Sequence, residues 1–173
     1  DYDKLHWLNQ HYIKESNASI LGDLLADQLD LLGVRRDIGP TPALVAQAQR
    51  ERAKTMREMA ENSRYFYEDF DDFEEKAAKK IFKKGTLETL RILRSELSGV
   101  INWRAEVLQE VVADTAANAN VKLGKVAQPL RVAVCGRAVS PPIDVTLELT
   151  GKVRTLQRLD MAIAYICTNQ HSS

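Results

Sequence analysis

The chain has 173 residues, 45% hydrophobic and 28% charged, enough to pack one ordinary domain or two small ones and too apolar for intrinsic disorder. Its 24 basic and 24 acidic residues cancel, which excludes a general polycation but not a local basic site. Eight Gly and five Pro are too few turn formers for an all-β sandwich, and no apolar run reaches the ~18 residues of a membrane span.

From the N-terminus, Asp3 can cap a first helix with Leu5, Leu8, Tyr12 and Ile13 at helical spacing. After the polar break SNAS, Ser19 can cap a second helix carrying Ile20, Leu21, Leu24, Leu25 and Leu32, stopped by Gly33. Thr41 followed by Pro42 marks a start, and residues 42–61 read as one long helix or two short ones joined near Arg50. Residues 65–75 form an aromatic segment interleaved with acids, YFYEDFDDFEE. Residues 74–84 read as a helix ended by Gly85, with Thr86 capping the next to about Leu97 and Asn102 capping another over 103–119. Residues 121–140 are ambiguous: VAV alternates like a strand, whereas the alanines and Pro129 also allow a short helix. Ser140, Pro141 and Pro142 open a short helix ended by Gly151, and a last helix covers about 152–167. Eight or nine helices and no convincing strand pair give an all-α class, with an internal boundary near the acidic segment at 68–75.

The sequence contains no GxGxxG, Walker lysine loop, GxSxG or HExxH motif. His6 and His11, five apart, share a helix face poorly, so no metal is expected there. Cys135 and Cys167 lack CxxC spacing and suit inert thiols in a reducing compartment. The start, DYDKLHWLNQHYIKES, lacks the basic end and apolar centre of a secretory leader, and a cytoplasmic location is expected.

Charge is unevenly placed. Residues 1–30 hold two lysines and six acids, net −4, whereas residues 119–173 hold seven basic residues and three acids, net +4. Three basic features could carry function. Arg50, Arg52, Lys54 and Arg57 form one, with a solvated helix face as the plainer reading. Lys122, Lys125, Arg131, Arg137, Lys152, Arg154 and Arg158 form the second, which suits phosphates and unstacked bases or simply solubility. Lys76, Lys79, Lys80, Lys83 and Lys84 read as a solvated face, since nothing among them reads a base.

Four stretches, WLNQHYIK (7–14), RYFYEDF (64–70), KLGKVAQPLRVAVCGRAVSPPIDV (122–145) and LTGKVRTLQRLDMAIAYI (149–166), closely resemble the C-terminal part of bacterial glutamyl-tRNA synthetase, a class I aminoacyl-tRNA synthetase. The resemblance runs essentially end to end. It implies a fragment whose catalytic domain, with its HIGH-type motif, ATP and Mg, precedes residue 1, so that this chain needs no cofactor and is inactive alone. It implies a cage of two packed helical anticodon-binding subdomains, residues 15–73 and 74–173, after the end of a stem-contact region at 1–14. The implied partners are the anticodon loop of glutamate tRNA and the catalytic domain of the same parent, with no membrane and a monomeric state. Arg52, in QRERAKTM, resembles the arginine that reads the third anticodon base, and Arg131, in QPLRVAV, a second anticodon contact. Ser140, Pro141 and Ile143 fall where the family's loop packs on the first two bases, and Pro142 stands where Gly or Ala is commoner. Lys122, Lys125, Arg137 and Lys152 would position phosphates. The competing reading is a helical protein-interaction domain that docks through the acidic–aromatic segment 65–75.

Overall fold

The computed structural model describes residues 2–169, with side chains from Asn9 onward. The first helix begins at Tyr2, so Asp3 is a residue within it and not its cap; the side chains of Leu5, His6 and Leu8 lie outside the described set, as does His171. All regular structure among the described residues is helical: ten α-helices and one 3-10 turn, in two compact units, residues 1–69 and 70–173. The division falls four residues before the boundary expected from the sequence, because Phe70 and Phe73 pack within the second unit.

The first unit contains α1 (Tyr2–Glu15), α2 (Ala18–Leu31), α3 (Pro42–Gln49), α4 (Met56–Glu61) and the 3-10 turn Arg64–Phe66. Asn17, not Ser19, caps α2: its Oδ1 accepts from the Ser19 N–H at 2.7 Å. Leu21, Leu25 and Leu29, at i, i+4 and i+8, form one fully buried stripe of α2, which packs against α3 and α4. The helix ends as the sequence suggests. Gly33 adopts φ +77°, its N–H bonds to the Asp30 carbonyl, and the Val34 N–H reaches back to Leu29 at 2.9 Å. That pair of bonds satisfies carbonyls that the helix end would leave bare. α2 and α3 approach closely at Gly22, where an added Cβ would meet the backbone of Ala43 at 2.7 Å. Residues 42–61 resolve into two short helices, since the chain turns after Gln49 and restarts at Thr55.

The second unit contains α5 (Glu75–Ile81), α6 (Lys84–Ser98), α7 (Ala105–Ala119), α8 (Gly124–Cys135), α9 (Ile143–Thr150) and α10 (Lys152–Asn169). The ambiguous stretch is helix α8. It packs against α5, α6, α7, α9 and α10, and Val126, Ala127, Pro129, Leu130, Val132, Ala133, Val134 and Cys135 are all buried. The side chains left outside, Lys125, Gln128 and Arg131, fall on one face at helical spacing, but the last turn, Val132–Cys135, is buried all round, which is why VAV shows no helical period by itself. Gly136 ends α8 at φ +76°. Its carbonyl accepts from the Glu74 N–H at 2.8 Å, and the Phe70 ring lies against its Cα. Arg158, 4% exposed on α10, donates from Nη1 to the Val134 carbonyl at 2.7 Å and stacks 4.6 Å from the Phe70 ring centre.

Two expected caps are corrected. Gly85 does not stop α5; it lies in the first turn of α6, whose start is held by the Lys83 N–H donating to Thr86 Oγ1 at 3.4 Å. Asn102 does not cap α7: the Ala105 N–H donates instead to the Glu148 carboxylate of α9, a partner 43 residues away. In the acidic–aromatic segment Tyr65, Phe66, Tyr67 and Phe73 are at most 6% exposed and Phe70 is half-buried, so the rings mainly serve the cores and it is chiefly the acids that face outward.

Candidate nucleic-acid interface

Arg52 lies in the turn after α3, which is anchored at both ends. The buried Gln49 amide donates to the Asn62 carbonyl and to Ser63 Oγ, each at 3.2 Å. Arg50 Nη1 donates to the carbonyls of Lys14 and Ser16, at 3.3 and 3.1 Å, where α1 ends. On the other side, Thr55 Oγ1 accepts from the Glu58 N–H at 3.0 Å and starts α4. Between these anchors, Arg52 Nη1 donates to the Ala48 carbonyl at 3.0 Å. The side chain is exposed, and among the described residues no carboxylate pairs with it. A carbonyl at a helix C-terminus orients a guanidinium without neutralising it. The result is a charged, multi-donor fork on a fixed turn. The other arginines of 50–57 divide away from it: Arg50 caps α1, and Arg57 pairs with Glu61 at 3.0 Å.

In the second unit, Arg131 projects half-buried from α8 and organises the loop that leads to α9. Its Nε donates to Ser140 Oγ at 2.8 Å and its Nη1 to Gln128 Oε1 at 2.6 Å. The Gln128 amide continues the chain, donating to the Ala138 carbonyl at 2.9 Å. Ser140 Oγ donates to the Pro141 carbonyl at 2.6 Å, and Thr146 Oγ1 donates to the same carbonyl at 2.9 Å. Thus three side chains, from α8 and α9, fix the backbone of residues 138–141 around Ser140. Gln128 and Thr146 were not expected from the sequence. Only their i+10 and i−5 partners give them a role, and no local pattern signals such partners.

The expected apolar surface is redistributed. Ser140 is 9% exposed and Ile143 5%, with Pro141 buried beside them, so these three form the footing of the loop rather than its outer face. Val139, 68% exposed, and the exposed Pro142 present the apolar surface instead. Pro142 is the N-cap of α9, with φ −48° and ψ 144°, and the following Ile143 turns inward as the first helical residue.

The cations of residues 119–173 separate into two groups. Lys122 and Lys125 stand exposed at the start of α8, and Arg137 lies half-buried in the organised loop. Lys152 donates its ammonium to the Val100 carbonyl, just beyond the end of α6, so one of its donors is engaged within the fold. Arg158 is buried in the same kind of role at the end of α8. A charge count cannot separate a cation that satisfies a carbonyl from one left to solvent.

Comparison with known proteins bears directly on this surface. Residues 6–163 match the family described as the anticodon binding domain. Over 164 residues the chain is 48% identical to glutamate–tRNA ligase 1 of Nitrosococcus oceani, covering 95% of this chain and 35% of that protein. It is 46% identical over 166 residues to glutamate–tRNA ligase 2 of Halorhodospira halophila, covering 96% and 35%. The chain therefore spans about a third of the length of the curated relatives it matches. A solved structure of a glutamate tRNA ligase from Elizabethkingia meningosepticum, at 24% identity, superposes with a TM-score of 0.83 over 93% of this chain and 32% of the other, which establishes a shared fold. The family match takes in Arg52, α8 and the whole Arg131–Ile143 region, and with it this chain belongs to the anticodon-binding domain family.

Proposed function

We propose that this chain is the anticodon-reading part of a glutamate–tRNA ligase and binds glutamate tRNA through its anticodon loop. The observation that carries this reading is the anticodon-binding family match across residues 6–163. The geometry supports it in two places. Arg52 offers a guanidinium on a pinned turn, and the Arg131 network holds a loop whose outer face is Val139 and Pro142. Unstacked loop bases are recognised by packing their faces on side chains and bonding their pairing edges. Arg52 reads the third anticodon base: cytosine presents the acceptors O2 and N3 to the fork, whereas guanine presents donors at N1 and N2 and leaves donors facing donors. Residues 139–142 pack on the first two bases, and Arg131 fixes that loop and adds a contact beside it. Lys122, Lys125 and Arg137 position phosphates. Glutamate, ATP and Mg act in a catalytic part of the longer ligase, to which this chain delivers a recognised tRNA as a cytoplasmic monomer.

The test is a gel-shift titration of the chain with a glutamate tRNA transcript and with the same transcript carrying a scrambled anticodon loop. Binding that is at least tenfold tighter to the intact loop is expected. Equal binding to both removes anticodon recognition from this chain.

A further inference from the structure

Residues 76–84, KAAKKIFKK, carry five lysines and no acid, a local net of +5 on a chain whose total charge is zero. In the structure, Lys76, Lys79 and Lys80 lie on α5, Lys83 in the turn and Lys84 in the first turn of α6. All five are exposed. Among the described residues none of their ammonium groups bonds to a carboxylate, although Asp71, Asp72, Glu74 and Glu75 precede them within a few residues. Such a cluster opposes folding. Lys76 and Lys80 are four apart on α5, and like charges so spaced on a helix destabilise it by ~0.2–0.5 kcal/mol. Lys84 also sits at the N-terminus of the 15-residue α6, the end at which a helix favours negative charge. The conflict disappears when a polyanion covers the cluster.

The chemistry of the face selects the polyanion. Its apolar residues turn inward: Ala77 and Ala78 are buried, and Phe82 packs against Phe73 and Tyr165. No exposed aliphatic or aromatic group remains among the lysines for a lipid chain or a base. Lysine ammonium groups on flexible stems are point charges that suit phosphates and carry no base information. We propose that the lysine face of residues 76–84 docks on the phosphate backbone of tRNA outside the anticodon loop, adding sequence-independent affinity to the recognition made by the loop. This inference rests on the proposed tRNA-binding function.

The experiment measures affinity for the glutamate tRNA transcript from low to moderate salt, for the chain and for its Lys79→Gln/Lys80→Gln/Lys83→Gln variant. All three positions are exposed, and circular dichroism checks that the helices are retained. Counterion release gives a log–log slope of ~0.7–0.9 per phosphate neutralised. The variant is expected to lose about two units of slope and to weaken equally for intact and scrambled anticodon loops. An unchanged slope in the variant overturns the lysine face while leaving anticodon binding intact. Weakening confined to the intact loop also overturns it, because the face would then be part of the reading site. A parent chain that fails to bind the transcript at all removes the tRNA function itself, and the lysine face with it.

Discussion

Removing the Ser140 hydroxyl isolates the bond that organises the candidate loop. Ser140→Ala deletes one buried oxygen that accepts from Arg131 Nε at 2.8 Å and donates to the Pro141 carbonyl at 2.6 Å. The volume change is a single atom, so the cavity contribution is small. The Pro141 carbonyl keeps Thr146 Oγ1 at 2.9 Å and is not left bare. What is lost is the charge-assisted bond to a half-buried guanidinium. Bonds to charged groups contribute about 1.5–3 kcal/mol when buried, and partial solvent access at Arg131 brings the expected loss to roughly 1–2 kcal/mol. Arg131→Met removes the same bond from the other side, together with the bond to Gln128. Urea denaturation of the two single variants and the double variant gives the coupling energy, expected at about 1 kcal/mol or more. Binding to the glutamate stem-loop should weaken by about tenfold in Ser140→Ala, because the face made by Val139 and Pro142 is no longer fixed. Stability losses that add within ~0.3–0.5 kcal/mol would show that Arg131 and Ser140 act independently and would refute the network.

Two further predictions concern the first unit. Gly22→Ala places a methyl 2.7 Å from the Ala43 backbone, which cannot yield as a side chain would, so α2 and α3 must separate. Overpacking of ~1–3 kcal/mol outweighs the ~1 kcal/mol gain in helix propensity, and the urea midpoint should fall with unchanged slope; a stabilised variant contradicts the close approach. The Tyr67 phenol is raised above its ordinary value of 10.0 by burial, with Arg36 opposing. The unfolded chain therefore ionises first as pH rises through about 10. The stabilisation from the neutral buried phenol is fully present below that pH and is lost as pH climbs toward the folded value. Circular dichroism melts should show a loss of stability above pH 10 that Tyr67→Phe reduces; identical profiles for the two proteins exclude Tyr67 as the cause.

The helical class and most element positions are legible because amphipathic stripes such as Leu21, Leu25 and Leu29 record the face each helix buries. The end of α8 escapes that logic, since Val132, Ala133, Val134 and Cys135 are all buried and no period shows there. The misplaced caps share another cause. The Ala105 N–H is satisfied by Glu148, 43 residues on, and no local motif encodes that bond. For the site, the sequence resemblance singled out Arg52 and Arg131, whereas the carbonyl partners of Arg52 and Lys152, Ala48 and Val100, appear only in the structure. Conversely, Ile143 looked like a base-stacking surface in a loop and is instead a core residue at the first position of α9, leaving Val139 and Pro142 outside.

The central claim is that Arg52 reads the third anticodon base. The direct measurement is binding of the chain to two anticodon stem-loops that differ only in carrying C or G at that position. One such contact discriminates by roughly 1–3 kcal/mol, about one to two decades in affinity. The account predicts that preference for C, and predicts that Arg52→Gln narrows it, since a rotated amide presents either a donor or an acceptor. A preference left unchanged by Arg52→Gln, or an equal loss of affinity for both stem-loops, would contradict it and leave Arg52 as an exposed charge.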